Sequence, residues 1–199
     1  MKTYKQKIIE LMTINSNSIS TKEIEGCNIS RKYLTQLVNE GFITRIGRGK
    51  YILSDNLFID DLYNTIIKSK NAVYSHTTAL YLHNLSDRIP LKYDITVQSG
   101  YNGSLQKNAN VNLFYTKKSI LYLGLIEMNS PFGSQIRVYD KERTICDIIK
   151  NRNKMDKEIF AKALKWYIDS NERDFVKLFD YAEKLKIKQK VLEYMEVLL

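Results

Sequence analysis

The sequence predicts an α+β chain made of two unlike parts, and three observations carry that expectation. Apolar residues recur at helical spacing near the start. Short runs of alternating polarity surround turn-forming residues in the middle. The last third then keeps helical period almost without interruption. A length of 199 residues accommodates one large domain or two of about 100 residues each.

Taken in order, residues 3–14 form the first expected helix, with Tyr4, Ile8, Leu11 and Met12 along one stripe. Asn15-Ser-Asn-Ser reads as a turn-rich loop. Ser20 and Glu23 have the spacing of a capping box, so a short helix should start there. It should stop at Gly26, since glycine accepts the left-handed backbone of a helix end. Ser30 can cap a second helix, which Gly41 is placed to end. Leu34, Leu37 and Val38 share one face of it. At about 100° per residue, Lys32, Gln36 and Asn39 point the other way, with Tyr33 and Thr35 on the flanks.

A polar helix face is ordinarily just solvated surface. The neighbouring hairpin changes the weighing. Two apolar runs flank Gly47-Arg48-Gly49, whose glycines permit a tight turn. Arg45, Arg48 and Lys50 decorate that hairpin, and no acid occurs from Gly41 to Leu53. Two helices followed by a basic hairpin make a winged helix-turn-helix, whose hairpin grips phosphates while its second helix enters the major groove. The expected DNA-binding residues are therefore Arg31, Lys32, Tyr33, Thr35, Gln36, Asn39, Arg45, Arg48 and Lys50. This domain should span residues 1–55. A linker helix, opened by Asp60-Asp61 and running through Lys68, should lie within 56–70. A second domain should fill 71–199.

In that second domain Ser75 can cap a helix from His76 to His83. Asp94-Ile-Thr-Val-Gln, Val111 to Tyr115, Leu121 to Met128 and Gln135 to Tyr139 read as strands. Asp140 can cap a helix to about Lys150. Three more apolar stripes follow, through Tyr167, Leu185 and Leu198. The expected whole is a small sheet followed by several C-terminal antiparallel helices.

The chain carries 31 Lys and Arg against 22 Asp and Glu, a formal charge of +9. Residues 1–55 hold nine cations and five acids, a net of +4, so the excess is spread over both parts and does not sit in a tail. Such a balance favours a polyanionic partner and serves solubility equally well. Cys27 and Cys146 lie far apart in unrelated elements, which points to buried free thiols in a reducing cytoplasm. No apolar run approaches a membrane span or the core of a signal peptide.

Candidate chemistry is thin. His76 and His83 can share a helix face, but further metal ligands at diagnostic spacing are missing. Neither a phosphate-binding glycine loop nor a nucleophile elbow is present. Asp140, Glu142 and Asp147 could together attract a divalent cation. A helix cap, a dipole complement and an Arg143–Asp147 ion pair explain the same residues without chemistry. The reading is of a non-enzyme with no catalytic residues, no metal and no cofactor.

Four segments nevertheless resemble the AbiEi family of antitoxins from bacterial abortive-infection systems. Ile29-Ser30, Leu34 and Gly41-Phe-Ile-Thr-Arg-Ile-Gly-Arg-Gly-Lys-Tyr resemble its N-terminal winged helix. Ser75-His-Thr-Thr-Ala-Leu with His83-Asn-Leu and Pro90 is similar to the opening of its antitoxin domain. Asp94-Ile-Thr-Val is similar to a strand of that domain, and Tyr139-Asp-Lys-Glu-Arg-Thr-Ile-Cys-Asp to its signature helix. The family often has Gly after the His-Asn position, where this chain has Leu85. The resemblance implies a cytoplasmic autorepressor that binds inverted repeats in its own promoter. It also implies an antitoxin that counteracts a nucleotidyltransferase toxin in a type IV pair for phage defence, without a stable complex. With no zipper or dimerisation helix evident, a monomer cooperating on DNA is expected. Two other readings compete: an enzyme whose second domain modifies the toxin, its target or a nucleotide, and a one-component transcription factor sensing a ligand.

Overall fold

The computed structural model describes residues 3–54, 60–67, 69–131 and 133–198. Its architecture is mixed α+β. The chain divides into two compact units, residues 1–68 with 131–134, and residues 69–130 with 135–199. The boundary expected at residue 55, the start of the expected linker and Lys68 lie outside the described residues.

In the first unit the order is α1 (Tyr4–Ile14), β1 (Ser18–Ser20), α2 (Thr21–Gly26), α3 (Lys32–Asn39), β2 (Ile43–Gly47), β3 (Lys50–Leu53) and α4 (Asp61–Ile66). The strands form an antiparallel sheet in the order β1-β3-β2, so helices and hairpin fit a winged helix-turn-helix. Part of the expected loop before Ser20 is in fact β1, which pairs Ser18, Ile19 and Ser20 with Ile52, Tyr51 and Lys50. Its three residues are too few for a readable alternation. Ile8, Met12, Ile24, Leu34, Leu37 and Ile43 close the core, each at most 1% exposed.

The capping box at α2 is as expected. The Ser20 amide donates to Glu23 at 2.6 Å, and the Glu23 amide donates back to the Ser20 hydroxyl at 3.3 Å. Gly26, however, is not the left-handed residue. Asn28 takes that role at φ 57°, its amide donating to Glu25 O (2.9 Å) and that of Ile29 to Ile24 O (3.0 Å). This is the two-bond Schellman closure, and asparagine tolerates it better than most residues. Nor does Ser30 cap α3. The cap position is Arg31, which gives no side-chain bond, and the first turn is drawn tight by Tyr33 N–Ser30 O (3.2 Å) and Leu34 N–Arg31 O (3.0 Å). Gly41 ends α3 as expected, at φ 76°.

Gly49, at φ 70° in the hairpin turn, answers to a second constraint. A Cβ there would stand 2.6 Å from Thr21 Oγ1, while the Thr21 amide donates to Gly49 O at 2.8 Å. The turn is pinned against the start of α2, so only glycine fits.

The second unit runs β4 (Val73–Tyr74), α5 (His76–Leu82), β5 (Tyr93–Gln98), β6 (Val111–Thr116), α6 (Lys118–Leu121), β7 (Leu125–Asn129), β8 (Gln135–Tyr139), α7 (Lys141–Lys150), α8 (Lys157–Asp169), α9 (Phe175–Lys184) and α10 (Lys188–Leu198). Five strands make one sheet in the order β6-β5-β4-β8-β7. β5–β6 and β4–β8 are parallel, whereas β4–β5 and β7–β8 are antiparallel. The expected strand from Leu121 to Met128 is overturned in its first half, where Leu121 ends α6. Gly124 then reverses the chain at φ 74° before β7 begins. Leu80, Ile145, Ile148, Leu164, Leu178 and Val191 unite α5 and α7–α10 in one core.

Cys146 is buried, and burial pushes its thiol well above the ordinary range. Cys27 corrects the expectation of two buried thiols, because it is exposed just past α2. No helix of the described residues is long and apolar enough to cross a membrane.

Candidate nucleic-acid interface

α3 turns Leu34 and Leu37 into the first core, and this burial decides what its other side presents. Lys32, Thr35, Gln36 and Asn39 are all exposed, and Tyr33 is half-buried beside them. The helix therefore offers two amides, a hydroxyl and an ammonium on one continuous face. The Tyr33 ring lies 5.1 Å from that of Tyr4, with the Lys32 ammonium 5.1 Å from its centroid.

The hairpin contributes the cations. Arg45 and Arg48 are exposed, and Lys50 is half-buried where β3 begins. Arg45 Nε donates to Gly47 O at 3.2 Å, folding its guanidinium along the strand at the point where the β2–β3 register shifts. Arg31 is exposed and committed to a carboxylate: its Nε donates to Glu25, which raises the guanidinium's already high pKa and lowers that of the Glu25 carboxyl. All nine residues expected to contact DNA lie on α3, its cap residue and the hairpin.

The polar residues singled out in the second unit have structural work. Asp140 caps α7 by accepting from the Arg143 amide (2.8 Å), and it also holds Lys177 (3.0 Å) and the Tyr181 hydroxyl (3.1 Å). Glu142 accepts from the Tyr167 hydroxyl (3.3 Å) and faces Lys177 (3.6 Å). The Arg143–Asp147 pair is present and buried, with Nε 3.1 and 3.2 Å from the two carboxylate oxygens. Arg143 Nη1 spends its protons on Ile120 O (2.8 Å) and Leu123 O (2.9 Å). Among the described residues no three His, Cys, Asp or Glu side chains are grouped to hold a metal.

The two histidines do not share a helix face. α5 ends at Leu82, and His83, just beyond it, donates from Nε2 to Tyr139 O at 2.7 Å. His76 opens α5 at φ 44°, a left-handed start. Ser75 gives no cap bond there. Asp94 Oδ2 accepts from the Thr77 amide at 3.0 Å in its place. Burial lowers the pKa of both imidazoles, and for His76 the carboxylates of Asp147 and Asp94 oppose that shift.

A cleft of about 440 Å³ has no counterpart among the sequence expectations. It is lined by His76, Thr96, β6 from Leu113 to Thr116, and the end of α7 with Asn151 and Lys154. In the sequence, Lys150, Asn151 and Lys154 mark no more than a helix end. A faint signal exists in the absence of any acid between Asp94 and Glu127.

Residues 8–54 match the family model described as "Transcriptional regulator, AbiEi antitoxin". No curated protein matches the chain. Among solved structures, the RV2827C protein from Mycobacterium tuberculosis is similar in fold, with a TM-score of 0.58 over 92% of this chain and 72% of that one. The sequences are only 10% identical, so the likeness is one of architecture.

Proposed function

We propose that this chain, whose residues 8–54 match the AbiEi antitoxin family of transcriptional regulators, represses its own operon and counteracts a nucleotidyltransferase toxin. The observation that carries the DNA-binding half is the exposed polar face of α3 beside an acid-free hairpin bearing Arg45 and Arg48. The helix enters the major groove, where Gln36 pairs with adenine and Lys32 reads guanine or holds a phosphate. Tyr33, Thr35 and Asn39 line that contact. Arg31, Arg45, Arg48 and Lys50 neutralise backbone phosphates. The division of labour is residues 1–55 for DNA, a linker helix within 56–70, and 71–199 for antitoxicity in the cytoplasm, as part of a type IV phage-defence system. A monomer occupies each half of an inverted repeat, and the toxin is opposed without a stable complex.

The test uses the full chain. It should shift a fragment from upstream of its own coding region at lower concentration than random DNA of equal length. Co-expression should restore growth to cells making the neighbouring nucleotidyltransferase. Equal affinity for both DNAs removes the repressor reading, and failure to restore growth removes the antitoxin reading.

A further inference from the structure

We propose that the cleft between β6 and the carboxyl end of α7 binds a nucleotide, with phosphates on Lys150 and Lys154 and the base beside the Phe114 ring. The inference does not rest on DNA binding by the first unit.

The volume, about 440 Å³, lies in the usual range for small-ligand pockets and suits a mononucleotide. Its lining divides by chemistry. β6 lines one side from Leu113 to Thr116, with the Phe114 ring turned toward His76 and the side chains of Leu113 and Tyr115 on the opposite face of the sheet, while Lys150 and Lys154 stand on the other side. Thr96, whose hydroxyl donates to Ser75 Oγ at 2.8 Å, and Thr116 also line the space.

Charge favours an anion. The lining carboxylate, Asp147, is held by Arg143, and neither Lys150 nor Lys154 forms an ion pair among the described residues. Lys117 and Lys118 follow Thr116 directly, in the stretch free of acids. A simpler account is that Lys150 merely offsets the carbonyl end of α7. That account leaves out Lys154, which lies beyond the helix, and it does not require a cavity.

The site is also built before any ligand arrives. The Asn151 amide nitrogen contacts Asp147 O (3.1 Å) and His76 Nε2 (2.9 Å), so the imidazole keeps its proton on Nδ1, facing Ser75 Oγ at 2.9 Å. His76 is stacked on Phe114 with centroids 3.6 Å apart. A wall locked by a ring stack and hydrogen bonds loses little freedom on binding.

Calorimetry on the full chain, with ATP, GTP, CTP and UTP each in turn, tests the proposal. Adenosine and inorganic triphosphate serve as the part-ligands. At least one nucleotide should bind with Kd below about 1 mM, and more tightly than either part-ligand. Lys150→Ala with Lys154→Ala should weaken it by about tenfold or more at unchanged melting temperature. Phe114→Leu, which removes the ring and keeps an apolar side chain, should weaken nucleotide binding and leave triphosphate binding alone. Arg48→Ala should leave nucleotide affinity unchanged, which separates this cleft from the basic hairpin. Absence of binding by all four nucleotides, triphosphate binding as tightly as the nucleotide, or undiminished affinity in the double lysine variant would each overturn the proposal.

Discussion

Gln36 and Asp147 show how differently two polar side chains can matter. Gln36 is exposed on α3 and supports no part of the fold. Gln36→Ala should leave stability alone and relax base preference at one operator position, at a cost of about 1–3 kcal/mol there. Competition between operator and point-mutated operators would read this out, and equal loss on random DNA would refute a base contact. Asp147 is buried against Arg143, itself only 1% exposed. Removing one partner of a buried pair strands the other charge, so Asp147→Ala should cost about 3–5 kcal/mol of stability. Urea unfolding checks this, and a loss under about 1 kcal/mol would mean the arginine is satisfied by carbonyls alone.

Elements in both units end by a common device, and it marks what the sequence could and could not disclose. α2, α3, α5 and α9 each close with a left-handed residue, respectively Asn28, Gly41, Asn84 and Lys186. Gly41 is legible because glycine is the usual occupant. Asn28 is masked by the nearby Gly26, and Lys186 offers no signal, since lysine has no preference for that backbone. Lys186 is exposed at φ 59°, so Lys186→Gly should stabilise the chain by about 1 kcal/mol, measured as a raised urea midpoint. The hairpin invites the opposite kind of test, on binding. Arg48→Ala should weaken DNA binding on any sequence and reduce the salt slope by about one unit, read from affinities across a salt series. An unchanged slope would remove the hairpin from the interface. The capping box, the hairpin and α7 are readable because each rests on neighbours in sequence. β1, β4 and the cleft are not, because they exist only once distant segments meet.

Across the whole molecule, two histidines set a pH response. Burial lowers the pKa of both. His76 faces Asp147 and Asp94 with Arg143 and Lys150, and His83 faces Lys141, Asp140 and Glu142 beside the Tyr139 carbonyl. Both imidazoles are neutral in the folded chain, so the unfolded chain binds the extra protons. Stability present above 6.5, the ordinary histidine value, is therefore lost as pH falls from there through the lower folded values. Urea midpoints at pH 7.5 and 5.5 should show a drop that shrinks in His83→Gln; an equal drop in that variant would place the protons elsewhere.

The sheet of the second unit is joined at its middle by β4, a strand of two residues, which meets β8 through the single pairing of Tyr74 with Val138. During synthesis β4 leaves the ribosome long before β8, so one flank of it must wait uncovered while the rest of the domain is made. A longer strand in that position would invite a neighbouring nascent chain to add on. Two residues give a stranger almost nothing to grip, and the brevity of the central strand guards against mispairing.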